Sequence, residues 1–271
     1  MAWKLVMAVA AAAVLSMGAD QAPPAPTTAP SSAPPQIKPY LGAAGLPDTL
    51  KILPPAPQKG DVRYETDRKM FLGTRNLAGT PRFALALNDD QLSGPALMKD
   101  LSCALGVQLT PQNAPKFMSM IPRIGRDAST ATNLPKDHWQ RQRPFLIDQG
   151  PTCIDQKGPI KDTWDYPSGH NTYSWALGLI LAEAAPDRAT EILVRARAYG
   201  ESRMICGVHN MSAVENGRTN GGILVAALHS SSEFRADLES AKQEIAAARK
   251  AGPAPDPAAC AKEAELLKSP Y

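Results

Sequence analysis

The chain has 271 residues, with 29 Lys and Arg against 26 Asp and Glu, a formal net charge of +3, 44% hydrophobic and 20% charged residues. That composition suits a globular protein with a core and excludes a coiled coil, a collagen and a polytopic membrane protein. So small an excess of base gives no reason to expect polymeric nucleic acid as a partner, because binders concentrate basic residues on one face.

Met1 to Ala19 reads as a secretory signal peptide: Lys4, an uncharged apolar stretch from Leu5 to about Met17, then the small Gly18 and Ala19 before Asp20. The apolar run is shorter than the ~20 residues of a spanning helix. The expectation is therefore a periplasmic (secreted) chain with no membrane contact after cleavage. The chain has no Cys near the cut, which argues against a bacterial lipid anchor. Residues 20–36 are Pro, Ala, Ser and Thr with few apolar groups, and cannot bury enough surface to offset their ordering entropy. They read as an extended linker, with the folded domain over residues 37–271.

Strand-like alternation is scarce, and helical spacing recurs. After Pro95, a good first-turn residue, Leu97, Met98, Leu101, Ala104 and Leu105 line one face. Phe117, Met120, Ile121 and Ile124 line another. Thr172 to Ala185 is apolar nearly all round, which predicts a helix at the centre of a bundle. Pro186-Asp187 breaks the chain before a helix over Ala189 to Tyr199, and Asn220 to His229 is apolar again. Ser230 with Glu233 reads as a capping box for a helix to about Lys250. Asp256-Pro257 starts a last short helix to about Leu267. The expected fold is all-α, a single helical-bundle domain of about seven to nine helices.

Three stretches carry chemistry. Lys136 to Pro144 places Lys136, Arg141 and Arg143 within eight residues. A Lys is a compact point charge and an Arg a planar fork that fits two phosphate oxygens. Read alone, the stretch also fits a solvated basic loop. Pro167-Ser168-Gly169-His170 directly precedes the most apolar helix. Ser168 can cap that helix and donate its hydroxyl, Gly169 lets a ligand approach the backbone, and the free N–H groups and dipole of the first turn favour an anion. His170 stands at the rim of that anion site. Ser202-Arg203 to His209 adds another fork and an imidazole, which read alone also fits a hydrogen-bonded core histidine.

Together these read Lys-x6-Arg-Pro, 22 residues, Pro-Ser-Gly-His, 31 residues, Ser-Arg-x5-His. The pattern resembles the signature of the phosphatidic-acid-phosphatase type 2 / vanadium haloperoxidase superfamily. Within it, the chain looks like a bacterial class A non-specific acid phosphatase. Leu53-Pro54-Pro55, Arg143-Pro144-Phe145 and Cys206-Gly207-Val208-His209 agree, and the resemblance covers about residues 45 to 250. It implies that bundle fold and hydrolysis of phosphomonoesters at acidic pH through a phosphohistidine. His209 would be the nucleophile, and His170 the general acid and then base. Lys136, Arg143, Arg203, Ser168 and the Gly169 amide would hold the phosphate oxygens. It implies no metal or other cofactor, and the chain has no HExxH or Cys-x2-Cys to suggest one. Nucleotides, sugar phosphates and aryl phosphates all stay open as substrates, and homo-oligomers are expected from the family's habit.

One position departs. The family pattern continues His-x3-Asp, with the Asp orienting the nucleophilic His, and here that position is Ala213. Glu215 is the nearest acidic residue but falls on another helix face. The expectation is that a carbonyl or a side chain from elsewhere orients His209. Two alternatives stay open: a phosphate-binding protein with impaired catalysis, or a vanadate-dependent haloperoxidase, although such chains tend to be much longer.

Cys103, Cys153, Cys206 and Cys260 allow three pairings, and an exported chain with an even count suggests disulfides. Cys153 with Cys206 is favoured because it would staple motif stretches together. Cys103 with Cys260 would then tie down the C-terminal helix.

Overall fold

The computed structural model describes Met1 and residues 36–269. The expected signal segment, and the linker up to residue 35, fall outside the described residues. The fold lies within the unit Ile37–Tyr271. Among the described residues there are eleven α-helices and no strand: α1 (Thr49–Ile52), α2 (Val62–Thr74), α3 (Pro81–Asn88), α4 (Gly94–Asp100), α5 (Ser102–Leu105), α6 (Pro115–Trp139), α7 (Gly169–Ala184), α8 (Ala189–Ile205), α9 (Met211–Leu228), α10 (Ser232–Ala251) and α11 (Pro257–Leu266). The all-α expectation holds.

The centre is α7, packed against α6, α8, α9 and α10. Its apolar periphery explains the position: Leu177, Ile180 and Leu181 are fully buried, as are Ala176 and Thr172. Small residues let its neighbours come close. A Cβ on Gly217 of α9 would stand 2.8 Å from the Ser168 carbonyl oxygen, and one on Gly221 would stand 2.7 Å from that of Thr172. These two glycines set how closely α9 lies against the start of α7.

The eleven helices exceed the expected seven to nine, and several boundaries differ: the face from Leu97 to Leu105 is divided between α4 and α5, and α8 runs past Tyr199 to Ile205. The apolar run from Asn220 to His229 is only the second half of α9, which begins at Met211. Its first half buries Ser212, Ala213, Val214 and Gly217, a small and partly polar stripe with weak apolar periodicity. The helix at Phe117 to Ile124 runs on to Trp139 and carries Pro122 and Pro135 inside it. Ser231, not Ser230, caps α10, its Oγ accepting from the Phe234 amide at 3.2 Å. Ser230 is used up in closing α9, its amide donating to the Ala227 carbonyl. Glu233 pairs with Arg123 at 2.9 Å, so the expected capping box does not form.

Both expected disulfides are formed. Cys103–Cys260 joins α5 to α11, and Cys153–Cys206 holds the segment before α7 to the end of α8, with Cα separations of 5.4 and 4.8 Å.

Candidate active site

Three helix ends supply the site. The first is the C-terminus of α6. Lys136 lies in its last turn, and Nζ donates to the Trp164 carbonyl. Gln140 closes the helix in the left-handed region at φ 47° and turns the chain back towards the bundle. Arg143 is thereby buried. Its Nε and Nη2 donate to Thr163 Oγ1 at 3.0 and 2.8 Å, and Nη1 donates to the Val208 carbonyl at 2.7 Å.

The second end is the N-terminus of α7. Ser168 is fully buried and caps the helix, its Oγ accepting from the Asn171 amide at 3.3 Å. Its own amide donates to the Ala213 carbonyl at 2.9 Å, which fixes the turn to α9. A Cβ on Gly169 would meet only Thr132 Cγ2, at an ordinary 3.5 Å. The protein's own packing therefore does not require glycine there. His170 follows, with Nε2 3.2 Å from the Asp90 carbonyl oxygen.

The third end is the C-terminus of α8. Arg203 is fully buried, yet none of its guanidinium nitrogens has an aligned hydrogen-bond acceptor. Its one ion-pair partner among the described residues is Asp90, with Nη2 2.7 Å from Oδ1. The chain then turns at Gly207, at φ 82°, where a side chain would collide with the Arg75 guanidinium. Arg75 itself closes α8 by donating to the Met204 and Ile205 carbonyls at 2.8 Å each, a cation at a helix C-terminus. This turn presents His209.

His209 is almost wholly buried, and its surroundings fix its tautomer. Nε2 lies 3.2 Å from Nη1 of Arg143, and a guanidinium can only donate. Nε2 is therefore the acceptor and Nδ1 carries the proton. Nδ1 lies 2.9 Å from Oδ1 of Asp165, which accepts its hydrogen bond. The Asp165 carboxylate also accepts from the Asn210 amide at 3.1 Å and from Asn210 Nδ2 at 2.9 Å. Arg141, which stands 3.6 Å from Asp165, is bonded to the buried Asp67 at 2.7 Å. Asp67 in turn accepts from the amide and hydroxyl of Ser212.

All seven motif residues thus converge, and the orienting group comes from elsewhere as expected. It is a carboxylate from the loop before α7. Position 213 is apolar and packs with Ala56 and Tyr166, while Glu215 pairs with Arg63. Asp165, Asp67 and Asp90 were not anticipated from the sequence. Asp165 had one cue, its place three residues before Ser168. Asp67 and Asp90 come from segments with no motif.

The cations dominate the electrostatics. Burial, with Arg143, Lys136 and Arg203 nearby, holds His209 well below the ordinary histidine range. Burial, with Arg203 and His209, does the same to His170. Lys136 is pushed down to about 7 by burial and by Arg143. A concave space of about 300 Å³ adjoins these groups, lined by Leu92, Thr132, Lys136, Gly169, His170 and Tyr173 among others.

The chain is similar to known proteins along most of its length. The PAP2 superfamily profile matches residues 124–237. An acid phosphatase of Zymomonas mobilis is 38% identical over 215 residues, which are 79% of this chain and 81% of that protein. A non-specific acid phosphatase of Providencia stuartii is 34% identical over 213 residues, 78% of this chain and 86% of that protein. One of Salmonella typhimurium is 31% identical over 211 residues, 77% and 84% respectively. With a bundle, a site and relatives of this kind, the chain belongs to the PAP2 superfamily.

Proposed function

We propose that this enzyme is an exported acid phosphatase that hydrolyses phosphomonoesters through a phosphohistidine on His209, without a metal. Phosphatase activity is supported by relatives named acid phosphatase at 30–38% identity. The observation that carries the mechanism is the pair of contacts on His209. Nδ1–H is held by Asp165, so Nε2 is the unprotonated nitrogen, and its lone pair attacks once Arg143 turns its N–H from Nε2 to the phosphate.

In the first step Nε2 attacks phosphorus, the bond to the ester oxygen breaks, and His170 gives its proton to the leaving alcohol. In the second step His170 takes a proton from water, whose oxygen attacks phosphorus. The P–N bond breaks and inorganic phosphate leaves. Lys136, Arg143, Arg203, the Ser168 hydroxyl and the Gly169 amide hold the remaining oxygens and meet the developing charge. This donor set is cationic, which suits an anion and repels a divalent metal. Asp165, the nearest carboxylate to His209, is already committed to the His209 and Asn210 donors. Bound phosphoester offsets the cations that hold His170 low, so the substrate itself favours the proton that His170 must donate. An acidic working range follows.

Hydrolysis of p-nitrophenyl phosphate from pH 4 to 8, with EDTA, tests this reading. Activity persists in the chelator, and His209→Ala loses at least about 10³-fold in kcat. Loss of activity in EDTA, or an active His209→Ala, contradicts it. Export is read separately, by the enzyme appearing in the periplasmic fraction without residues 1–19.

A further inference from the structure

The phosphate cradle already contains an anion of its own. Asp90 sits in the loop after α3, and its Oδ1 stands 2.7 Å from Nη2 of the buried Arg203 and 3.7 Å from Nε2 of His170. The loop is held in place from behind. The neighbouring Asp89 is fully buried and takes both Nη groups of Arg195, at 3.1 and 2.7 Å, and the Ser202 hydroxyl at 2.6 Å. One residue further on, the Gln91 carbonyl accepts from the Tyr199 hydroxyl at 2.6 Å. Arg195, Tyr199 and Ser202 all belong to α8, the helix whose last turn carries Arg203. Asp90 is thus fixed relative to Arg203 and has little freedom to swing away. Its side chain is 26% exposed.

We propose that Asp90 is a built-in competitor for the phosphate group, sharing Arg203 with it and lowering the affinity of the site for phosphate anions. The inference rests on the reading of Arg203 as a phosphate ligand. A carboxylate on the same guanidinium repels an incoming phosphate and takes one of its donors. The consequence for turnover is weaker retention of the product, inorganic phosphate, which carries the same charge as the group the site must first admit.

The test is competitive inhibition of the full-length enzyme by inorganic phosphate at pH 6, for wild type, Asp90→Asn, Asp90→Glu and Arg203→Ala. Asp90→Asn keeps the shape and removes the charge. Its inhibition constant is expected to fall about tenfold, the low end for relieving like charges in a partly exposed site. KM falls with it, and Asp90→Glu stays near wild type. A purely structural role for Asp90 moves these constants the other way, since a misplaced Arg203 binds phosphate less well. An Asp90→Asn constant equal to or weaker than wild type overturns the proposal, provided that Arg203→Ala has lost inhibition. If phosphate inhibits Arg203→Ala as well as wild type, the reading of Arg203 fails, and this proposal falls with it.

Discussion

At the scale of single residues, the loss of the orienting Asp after His209 is made good by Asp165, a carboxylate 44 positions before it. Its charge matters more than its shape. An Asn at 165 could offer its amide N–H to Nδ1 and select the wrong tautomer. Asp165→Asn is expected to lower kcat by about 10⁴-fold with KM little changed, as when a hydrolase triad keeps its geometry and loses its aspartate charge. A kcat within tenfold of wild type would sink the assignment. Adding Ala213→Asp to Asp165→Ala returns the acid to its usual place in the family, and recovery of part of the rate is the expected outcome. The seven motif residues were legible because each had to be a particular chemical type at a fixed spacing. Asp165 was not legible as the partner of His209. That pairing is made by the turn from Arg141 to the start of α7 and by the Asp165 amide bonding to the Arg141 carbonyl, which sequence spacing does not encode.

Among the elements, α7 could be read because its apolar run, Ser168 cap and preceding Pro all agreed. Helices α2 and α3 were missed for a physical reason. The buried side of α2 is Asp67, Phe71 and Thr74, and that of α3 is Arg82 and Ala86. Their inward faces carry polar groups that bond to the site's supporting network; in α2 this leaves no apolar period to mark the helix, and α3 is only eight residues long. The same applies to the first half of α9, where glycine takes the place of a large apolar contact. Gly221→Ala is predicted to destabilise the protein by about 1–3 kcal/mol, because its methyl meets backbone that cannot yield. Urea unfolding measures this. Gly217→Ala should in addition raise KM, since its methyl presses on the Ser168 carbonyl at the cap of α7. A Gly217→Ala enzyme with wild-type KM and midpoint would show that α9 is not wedged against the site.

For the whole molecule, gathering cations around the buried His209 and the half-buried His170 has a cost in stability that depends on pH. Both imidazoles are held low in the folded state. Unfolded histidines titrate near ~6.5, so the unfolded chain binds more protons below that pH, and stability present above it is lost as pH falls. The window to read is pH 7.5 to 6: Lys136, held down at about 7, acts there in the same sense as the histidines, whereas below about 6 the half-buried Asp100, whose carboxyl is held up at about 6, acts in the opposite sense. Across that window the phosphate-free enzyme should lose about 1–2 kcal/mol of unfolding free energy. Saturating phosphate should flatten the slope. A flat profile without phosphate would mean that the histidines are not held neutral. Stability, electrostatics and the proposed chemistry all converge on the lone pair of His209 Nε2. The most direct measurement is therefore to mix enzyme and substrate in a single turnover, quench in alkaline denaturant, where phosphohistidine survives, and weigh the protein and its peptides. One added phosphoryl group on His209, present before the quench and absent in His209→Ala, is the predicted result. Full turnover with no phosphoryl-enzyme at any time point, or the label on another residue, contradicts the account.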